Sequence, residues 1–365
     1  MVVPERLGIG ILGCGRISGL TARGYDGQAG ARIVALCDPI EERARRLADE
    51  IGGAAVTTDI ESFLDTPGLE AVEILTPHHL HADHAIAALA AGKHVSLQKP
   101  PARNMEEFER IAAAVSAADT SFRVFENFMH YPAHARACEL VRSGAIGEPL
   151  SVRLKTAAGR PEDGWEIGAD ALAWRMNEET CGGGPTTFDH GYHCYNLARC
   201  FMGAEIETVH AFISWYGQDR SSRYDGNSVV SWRYEGQPER FGSWEVVASV
   251  GMQVEGEYYA EDDRAEIHGR DGYISISGCT GRSGEDPPLR LYREGCTEVI
   301  DDLERDWASS FKCGAVDFVD AIREGRQPAQ GIEDARRTLA VALAVGRSAD
   351  QRAEVAVSEF LGRPG

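Results

Sequence analysis

Five short apolar runs recur through the first third of the chain: LGIGIL (7–12), RIVALC (32–37), AVEILT (71–76), HVSLQ (94–98) and FRVF (122–125). Between them, EERARRLADEIG, HADHAIAALAAG and MEEFERIAAAVSAA repeat apolar positions at the three-to-four-residue spacing that gives a helix one buried face. A buried parallel strand reads as an unbroken apolar run, and parallel strands need a crossover between them. The rhythm therefore predicts repeated β-α-β units and an open parallel sheet.

The first crossover carries a glycine turn, and two registers compete for it in RLGIGILGCGRISG. Gly8, Gly10 and Gly13 satisfy G-x-G-x-x-G letter for letter. Geometry decides otherwise, because the glycines of a dinucleotide turn must follow the strand and let a pyrophosphate approach the next helix N-terminus. Residues 7–12 are the strand, so the turn is Gly13-Cys14-Gly15-Arg16-Ile17-Ser18. Ser18 is small enough to hold the place of the third glycine. After the second strand, ALCDP puts Asp38 where a carboxylate accepts hydrogen bonds from an adenosine ribose, and the same residue can cap the following helix. A carboxylate there favours NAD over its 2′-phosphorylated form.

At 365 residues the chain exceeds the size at which one core stops growing, so two domains are expected. A formal net charge of −20 argues against a nucleic-acid backbone or an anionic membrane as partner. Nine cysteines without any Cys-x-x-Cys pair suit a reducing compartment. The opening MVVPERLG lacks an apolar signal core and no run approaches transmembrane length, so a cytoplasmic protein is expected.

Past residue 130 the pattern changes. A helix-like stretch, PAHARACELVRSG, leads into SVRLKTAA, TVHAFISWY, SVVSWRY, AEIHG and YISIS, largely without helices between them. This predicts a second, α+β domain on a large open, mostly antiparallel sheet. Two closing helices, about 305–324 and 331–350, are expected to pack beside one or both domains. The division expected is 1–128 for the dinucleotide-binding Rossmann domain and 129–365 for a substrate-binding and oligomerisation domain, with the two meeting in a fixed cleft.

Three motifs carry chemistry. In AGKHVSLQKPPA, Lys99 ends a strand at the carboxyl edge, where open α/β sheets bind ligands. Lys93, Lys99, Lys155 and Lys312 are the only lysines among thirty-seven cationic side chains, and a lysine, unlike an arginine, exchanges a proton readily. In CGGGPTTFDHGYHCYN, Asp189 and His193 lie four apart at the start of an apparent helix, so a carboxylate can orient an imidazole. The alternatives are a helix cap with a core histidine, or a metal site with His190; the triple glycine upstream lets backbone approach something closely. In TPHHLHADH, four histidines follow the fourth strand, but a helix N-terminus repels a cation, so no metal is expected. Thr76, Pro77, His78 and His81 are instead expected to line the nicotinamide end of the cofactor site.

GILGCGRIS, CDP, ILTPHHLHADHAIAALAAGKHVSLQKP, GAIGEPLSVR, WRM, GGGPTTFDHGYH and AEIHGRDGYISI, in this order over nearly the whole chain, resemble the glucose-fructose oxidoreductase, inositol dehydrogenase and MocA family. The resemblance implies a Rossmann domain followed by an α/β domain whose open sheet often forms subunit contacts, hence a homodimer or homotetramer. It also implies NAD-dependent oxidation or reduction of a secondary alcohol on a sugar, glycoside or cyclitol. Lys99 matches the family's Glu-Lys-Pro lysine, with Gln98 in place of the glutamate. Asp189, Gly191 and His193 match its Asp-x-Gly-x-His motif. The implied assignment gives NAD to Gly13, Gly15, Arg16, Ile17, Asp38, Thr76, Pro77, His78, His81, Gln98 and Lys99. Catalysis falls to Lys99, Asp189 and His193, with His193 taking the hydroxyl proton, Lys99 polarising the oxygen, and Lys99 as the competing proton acceptor. Tyr131, Trp165, Trp174, Arg175 and Tyr192 are expected sugar contacts. Two other functions stay open on this fold: glycoside cleavage through transient oxidation by bound NAD, and non-catalytic sugar sensing.

Overall fold

The structure is a computed structural model that describes residues 6–27, 30–161, 164–165, 168–218, 222–236 and 238–362. The chain divides into two compact units, Met1–Asn127 with Ser310–Arg336 and Phe128–Ser309 with Arg337–Gly365.

The first unit holds a parallel sheet of β1 (Leu7–Leu12), β2 (Ala31–Cys37), β3 (Ala55–Thr57), β4 (Ala71–Ile74), β5 (His94–Gln98) and β6 (Phe122–Phe125), in the order β3-β2-β1-β4-β5-β6. This is the doubly wound dinucleotide-binding order, whose switch point lies beside β1. β3, three residues long at the sheet edge, has no counterpart among the runs read from the sequence. Every residue of β1 is buried. A Cβ on Gly8 would stand 1.7 Å from the Gly68 carbonyl oxygen, and one on Gly10 would stand 2.6 Å from the Phe63 ring. These two glycines serve packing, so they are not the pyrophosphate glycines.

The helix Ala308–Glu324 belongs largely to this unit, with Ala315, Phe318 and Val319 packed on Leu7, Ile9 and Tyr25. A buried polar network crosses the same layer. Arg123 pairs with Glu73 at 3.3 Å, donates to Ser96 Oγ at 2.9 Å and to the Gly314 carbonyl at 2.6 Å, while the Tyr25 hydroxyl donates to Glu73 at 2.5 Å.

The second unit is built on a nine-stranded sheet of β7 (Pro149–Pro161), β8 (Ile206–Tyr216), β9 (Tyr224–Tyr234), β10 (Phe241–Val254), β11 (Glu261–Gly269), β12 (Gly272–Ser277), β13 (Leu289–Arg293), β14 (Cys296–Ile300) and β15 (Val355–Ala356). Their order is β14-β13-β12-β11-β7-β10-β9-β8-β15, and β7 with β10 is its parallel pair. The helices Pro132–Arg142 and Gly191–Met202 belong to this unit, and Cys138 and Cys200 join them in a disulfide across 62 residues of sequence. That bridge departs from the expectation drawn from cysteine spacing; the other seven cysteines are thiols.

Alternation leaves part of the sheet exposed. Phe212 on β8 faces Val229 on β9, which faces Glu245 on β10, and Phe212 is 70% exposed. Among the described residues no helix is long and apolar enough to cross a membrane.

Candidate functional site

The glycine turn leaves β1 at Gly13, whose φ of +98° admits no ordinary side chain; a Cβ there would also press on the Leu75 carbonyl carbon at 2.9 Å. Gly13 donates its N–H to the Cys37 carbonyl at 2.8 Å, which ties the turn to the end of β2. A Cβ on Gly15 would meet nothing within 4 Å, and Gly15 and Arg16 are exposed. Ile17 precedes the helix Ser18–Tyr25, and the buried Ser18 hydroxyl donates to the Gly15 carbonyl at 2.6 Å. Open backbone at Gly15, at the mouth of a helix N-terminus, fits a dinucleotide pyrophosphate.

Asp38 is buried at the tip of β2, where its two carboxylate oxygens accept the Cys14 N–H at 2.8 Å and the Ile40 N–H at 2.9 Å. One residue thus both braces the turn that leads into the helix Glu41–Glu50, whose N-cap is Ile40 and carries no side-chain cap bond, and holds the glycine turn. The Cys14 thiol is pushed up to about 12 by burial first and by the Asp38 carboxylate second, which leaves it an inert packing group.

Thr76 and Pro77 follow β4, and His78–Leu80 forms a single 3-10 turn ahead of the helix His81–Ala90. His81 is fully buried between two strand ends, its Nδ1 2.8 Å from the Pro100 carbonyl and its Nε2 2.7 Å from the Thr76 carbonyl. The Thr76 hydroxyl lies 3.0 Å from His84 Nδ1, and burial holds that imidazole below its ordinary range. His78 is buried against His81, ring centroids 5.5 Å apart. Gln98 turns its side-chain oxygen back onto the Lys99 N–H at 2.9 Å, so the amide braces the backbone from which Lys99 projects.

In the second unit, Asp189 and His190 end a π-helical turn, Pro185–His190, and the regular helix begins only at Gly191. The triple glycine serves a neighbour in the fold: a Cβ on Gly184, at φ +112°, would stand 2.5 Å from Asp225 Oδ1. Asp225 accepts from the Thr186 N–H at 2.9 Å and from the Thr187 hydroxyl at 2.5 Å. The close approach expected from these glycines is therefore to a buried carboxylate of β9. Burial raises that carboxyl, and the Thr187 bonds oppose the shift.

Asp189 receives the Arg175 Nε at 3.2 Å, and the Arg175 guanidinium lies 4.2 Å from the centre of the Trp174 ring. The His193 ring stacks on Phe128 at 3.9 Å with a 9° tilt. Asp189, Arg175 and Trp174 thus form one group. Trp165 instead joins an aromatic cluster with Tyr258, Tyr259 and Trp307. Tyr131 lies in the wall of a cavity of about 450 Å³ beside Tyr258, Arg282 and Trp307. Tyr131 and Tyr192 are each 2% exposed.

Sequence reasoning missed Asp225 and a cluster of His190 with Glu261 and Asp263. The run Glu261-Asp262-Asp263 inside β11 was the available signal, since consecutive acids are unusual in a central strand. Among the described residues these three side chains form the grouping with metal-ligand donors close enough to share an ion.

Residues 7–126 match the oxidoreductase family described by its NAD-binding Rossmann fold, and residues 134–275 match the GFO/IDH/MocA C-terminal domain. Levoglucosan dehydrogenase of Pseudarthrobacter phenanthrenivorans is 31% identical over 67% of this chain and 61% of its own length. The scyllo-inositol 2-dehydrogenase (NAD(+)) of Bacillus subtilis is 27% identical over 93% of this chain and 92% of its own. A solved levoglucosan dehydrogenase, in complex with NADH and levoglucosan, superposes with a TM-score of 0.81 at 25% identity, covering 97% of this chain and 100% of that one. With the 3-2-1-4-5-6 sheet, the open glycine turn and the carboxylate at β2, these matches place the chain in the GFO/IDH/MocA family of NAD-binding oxidoreductases.

Proposed function

We propose that the protein is a dehydrogenase that removes hydride from a secondary alcohol of a sugar, glycoside or cyclitol. The observation that carries the reading is the placing of Lys99 directly after β5, at the carboxyl edge of a sheet whose glycine turn fits a dinucleotide. The substrates named for the levoglucosan and scyllo-inositol relatives support the polyol class.

Gly13, Gly15, Arg16, Ile17 and Ser18 would hold the pyrophosphate. Asp38 would take the adenosine ribose: a carboxylate offers about four lone-pair directions, and two remain beyond the Cys14 and Ile40 bonds. Thr76, Pro77, His78, Gln98 and Lys99 would face the nicotinamide end, with the fully buried His81 behind them, against the Thr76 and Pro100 carbonyls rather than the cofactor. When bound, NAD supplies the hydride acceptor. His193 removes the proton of the substrate hydroxyl. Lys99 donates a hydrogen bond to the same oxygen and polarises it. Asp189 holds a neighbouring hydroxyl or orients His193, and the Arg175 Nε–H holds that carboxylate in place. Trp165, Trp174, Tyr131 and Tyr192 complete the proposed sugar-facing set.

Association through the exposed face of the nine-stranded sheet and a cytoplasmic location belong to the same proposal. The first is supported by the apolar row through Phe212 and Val229. The second rests on nine cysteines without any Cys-x-x-Cys pair, and the Cys138–Cys200 disulfide stands against it. A panel of cyclitols, anhydrosugars and glycosides, incubated with protein and NAD and analysed by mass for a ketone two hydrogens lighter, tests the activity. Ketone and reduced cofactor in equal amounts are expected; a hydrated or cleaved product without net reduction would contradict it.

A further inference from the structure

His190 stands between Asp189 and His193 in sequence, and neither the cofactor nor the proton transfer proposed above uses it. Its side chain is 12% exposed, and its two nitrogens face different carboxylates: Nδ1 lies 3.3 Å from Glu261 Oε2, and Nε2 lies 3.3 Å from Asp263 Oδ1. Thr156 Oγ1 is also 3.3 Å from Nε2. That hydroxyl has one proton, which it gives to Asp263 Oδ1 at 2.8 Å, and it receives the Trp244 indole N–H at 3.1 Å. It therefore offers His190 only a lone pair. Each nitrogen thus faces a carboxylate, which only accepts when ionised, whereas a neutral imidazole has one N–H to give. The two-carboxylate setting favours the imidazolium.

The surroundings agree. Burial pulls the His190 pKa down, but Glu261 and then Asp263 outweigh it, with Cys194 adding in the same sense, and the net shift is well above the ordinary histidine range. Asp263 is raised by burial first, against the opposing pull of His190 and of the Thr156 hydroxyl and with Glu261 adding to the rise, and its Oδ2 is buried without a hydrogen-bond partner. The other groups packed on the ring are Trp244, stacked at 5.9 Å, Phe128, edge-on at 5.9 Å, and His193, at 5.8 Å. A divalent ion could draw on the same three donors. With both nitrogens donating, however, no lone pair of the ring is left for a metal.

We propose that His190 is a positioning residue: its charge, clamped between Glu261 and Asp263, bolts the turn Pro185–His190 onto β11 and so fixes where His193 and Asp189 project. Phe128 completes the lock, since it stacks on His193 and meets His190 edge-on. The proposal rests on the reading of His193 as the proton acceptor.

The test uses the full chain with NAD bound and compares the parent with Asp263→Asn, Glu261→Gln and His190→Gln. The clamp requires both His190 nitrogens to remain protonated at about pH 8, well above the ordinary histidine pKa of about 6.5. Nitrogen-15 NMR of the imidazoles reads this without any substrate. Loss of one carboxylate should move the alkaline limb of kcat down by about one to three pH units, since the partner that raised the His190 pKa is gone. A limb due to Lys99 would not move. Each variant should lose about tenfold to a hundredfold in kcat, the cost of small misplacement, with NAD affinity unchanged. A neutral His190 in the parent, an unmoved alkaline limb, parental kcat in His190→Gln, or a stoichiometric divalent metal in the purified protein would each overturn the clamp. Absence of turnover on every polyol would sink the proposed activity, while the imidazole spectrum would still decide the clamp.

Discussion

Asp38 makes two commitments in the protein alone, to the Cys14 and Ile40 amides, and a third is proposed toward the ribose. On that proposal its charge would set the choice between the two nicotinamide dinucleotides. A carboxylate about 4 Å from a 2′-phosphate costs roughly 1–4 kcal/mol, depending on the local dielectric. That is about tenfold to a thousandfold in affinity. Asp38→Ser should therefore erode the preference for NAD, and it should also weaken NAD binding itself, because the Cys14 amide loses the acceptor that shapes the turn. Titration calorimetry with both cofactors on parent and variant checks this. Tighter NADP binding by the parent would remove Asp38 from the ribose. The same scale explains why glycine letters mislead: Gly8 and Gly10 complete a perfect motif on paper, yet each faces a neighbour that leaves no room for a Cβ.

Among the elements, the parallel sheet depends on a polar crossing under its helices. Arg123 and Glu73 are each 1% exposed, so Arg123→Met would leave a carboxylate buried with only the Tyr25 hydroxyl to answer it. Such a broken pair costs about 3–5 kcal/mol, and urea unfolding of the variant should show a loss of that size. A loss under about 1 kcal/mol would mean that the network is replaceable. Four of the central strands were legible because burial on both faces writes them as apolar runs, and β6 likewise. β3 was not, since three residues carry no periodicity. In the second unit β10 was missed because Gly251 and exposed residues interrupt its alternation, and β13 and β14 because arginines punctuate the first and the second is largely exposed. Lys99 and His193 stood out by residue type and spacing. Asp225 and the His190 clamp did not, because their partners lie 38 or more residues away and only the folded sheet brings them to one place.

For the whole molecule, the exposed row from Phe212 to Val229 is the feature a lone chain would be least expected to leave in water. Light scattering at micromolar protein should give a dimer or tetramer, and Phe212→Glu should shift it toward the monomer. A strictly monomeric parent would rule out association through this face. The proposed activity of the whole molecule depends on Lys99 as the group that holds the reacting oxygen, and its most direct test is Lys99→Arg, assayed on the substrate that the polyol panel yields. Arginine keeps the charge but neither the compact ammonium nor its proton exchange. The kcat of Lys99→Arg should fall by roughly 10² or more, the scale of one positioned proton-transfer group, with NAD affinity unchanged. Parental turnover in Lys99→Arg would contradict it.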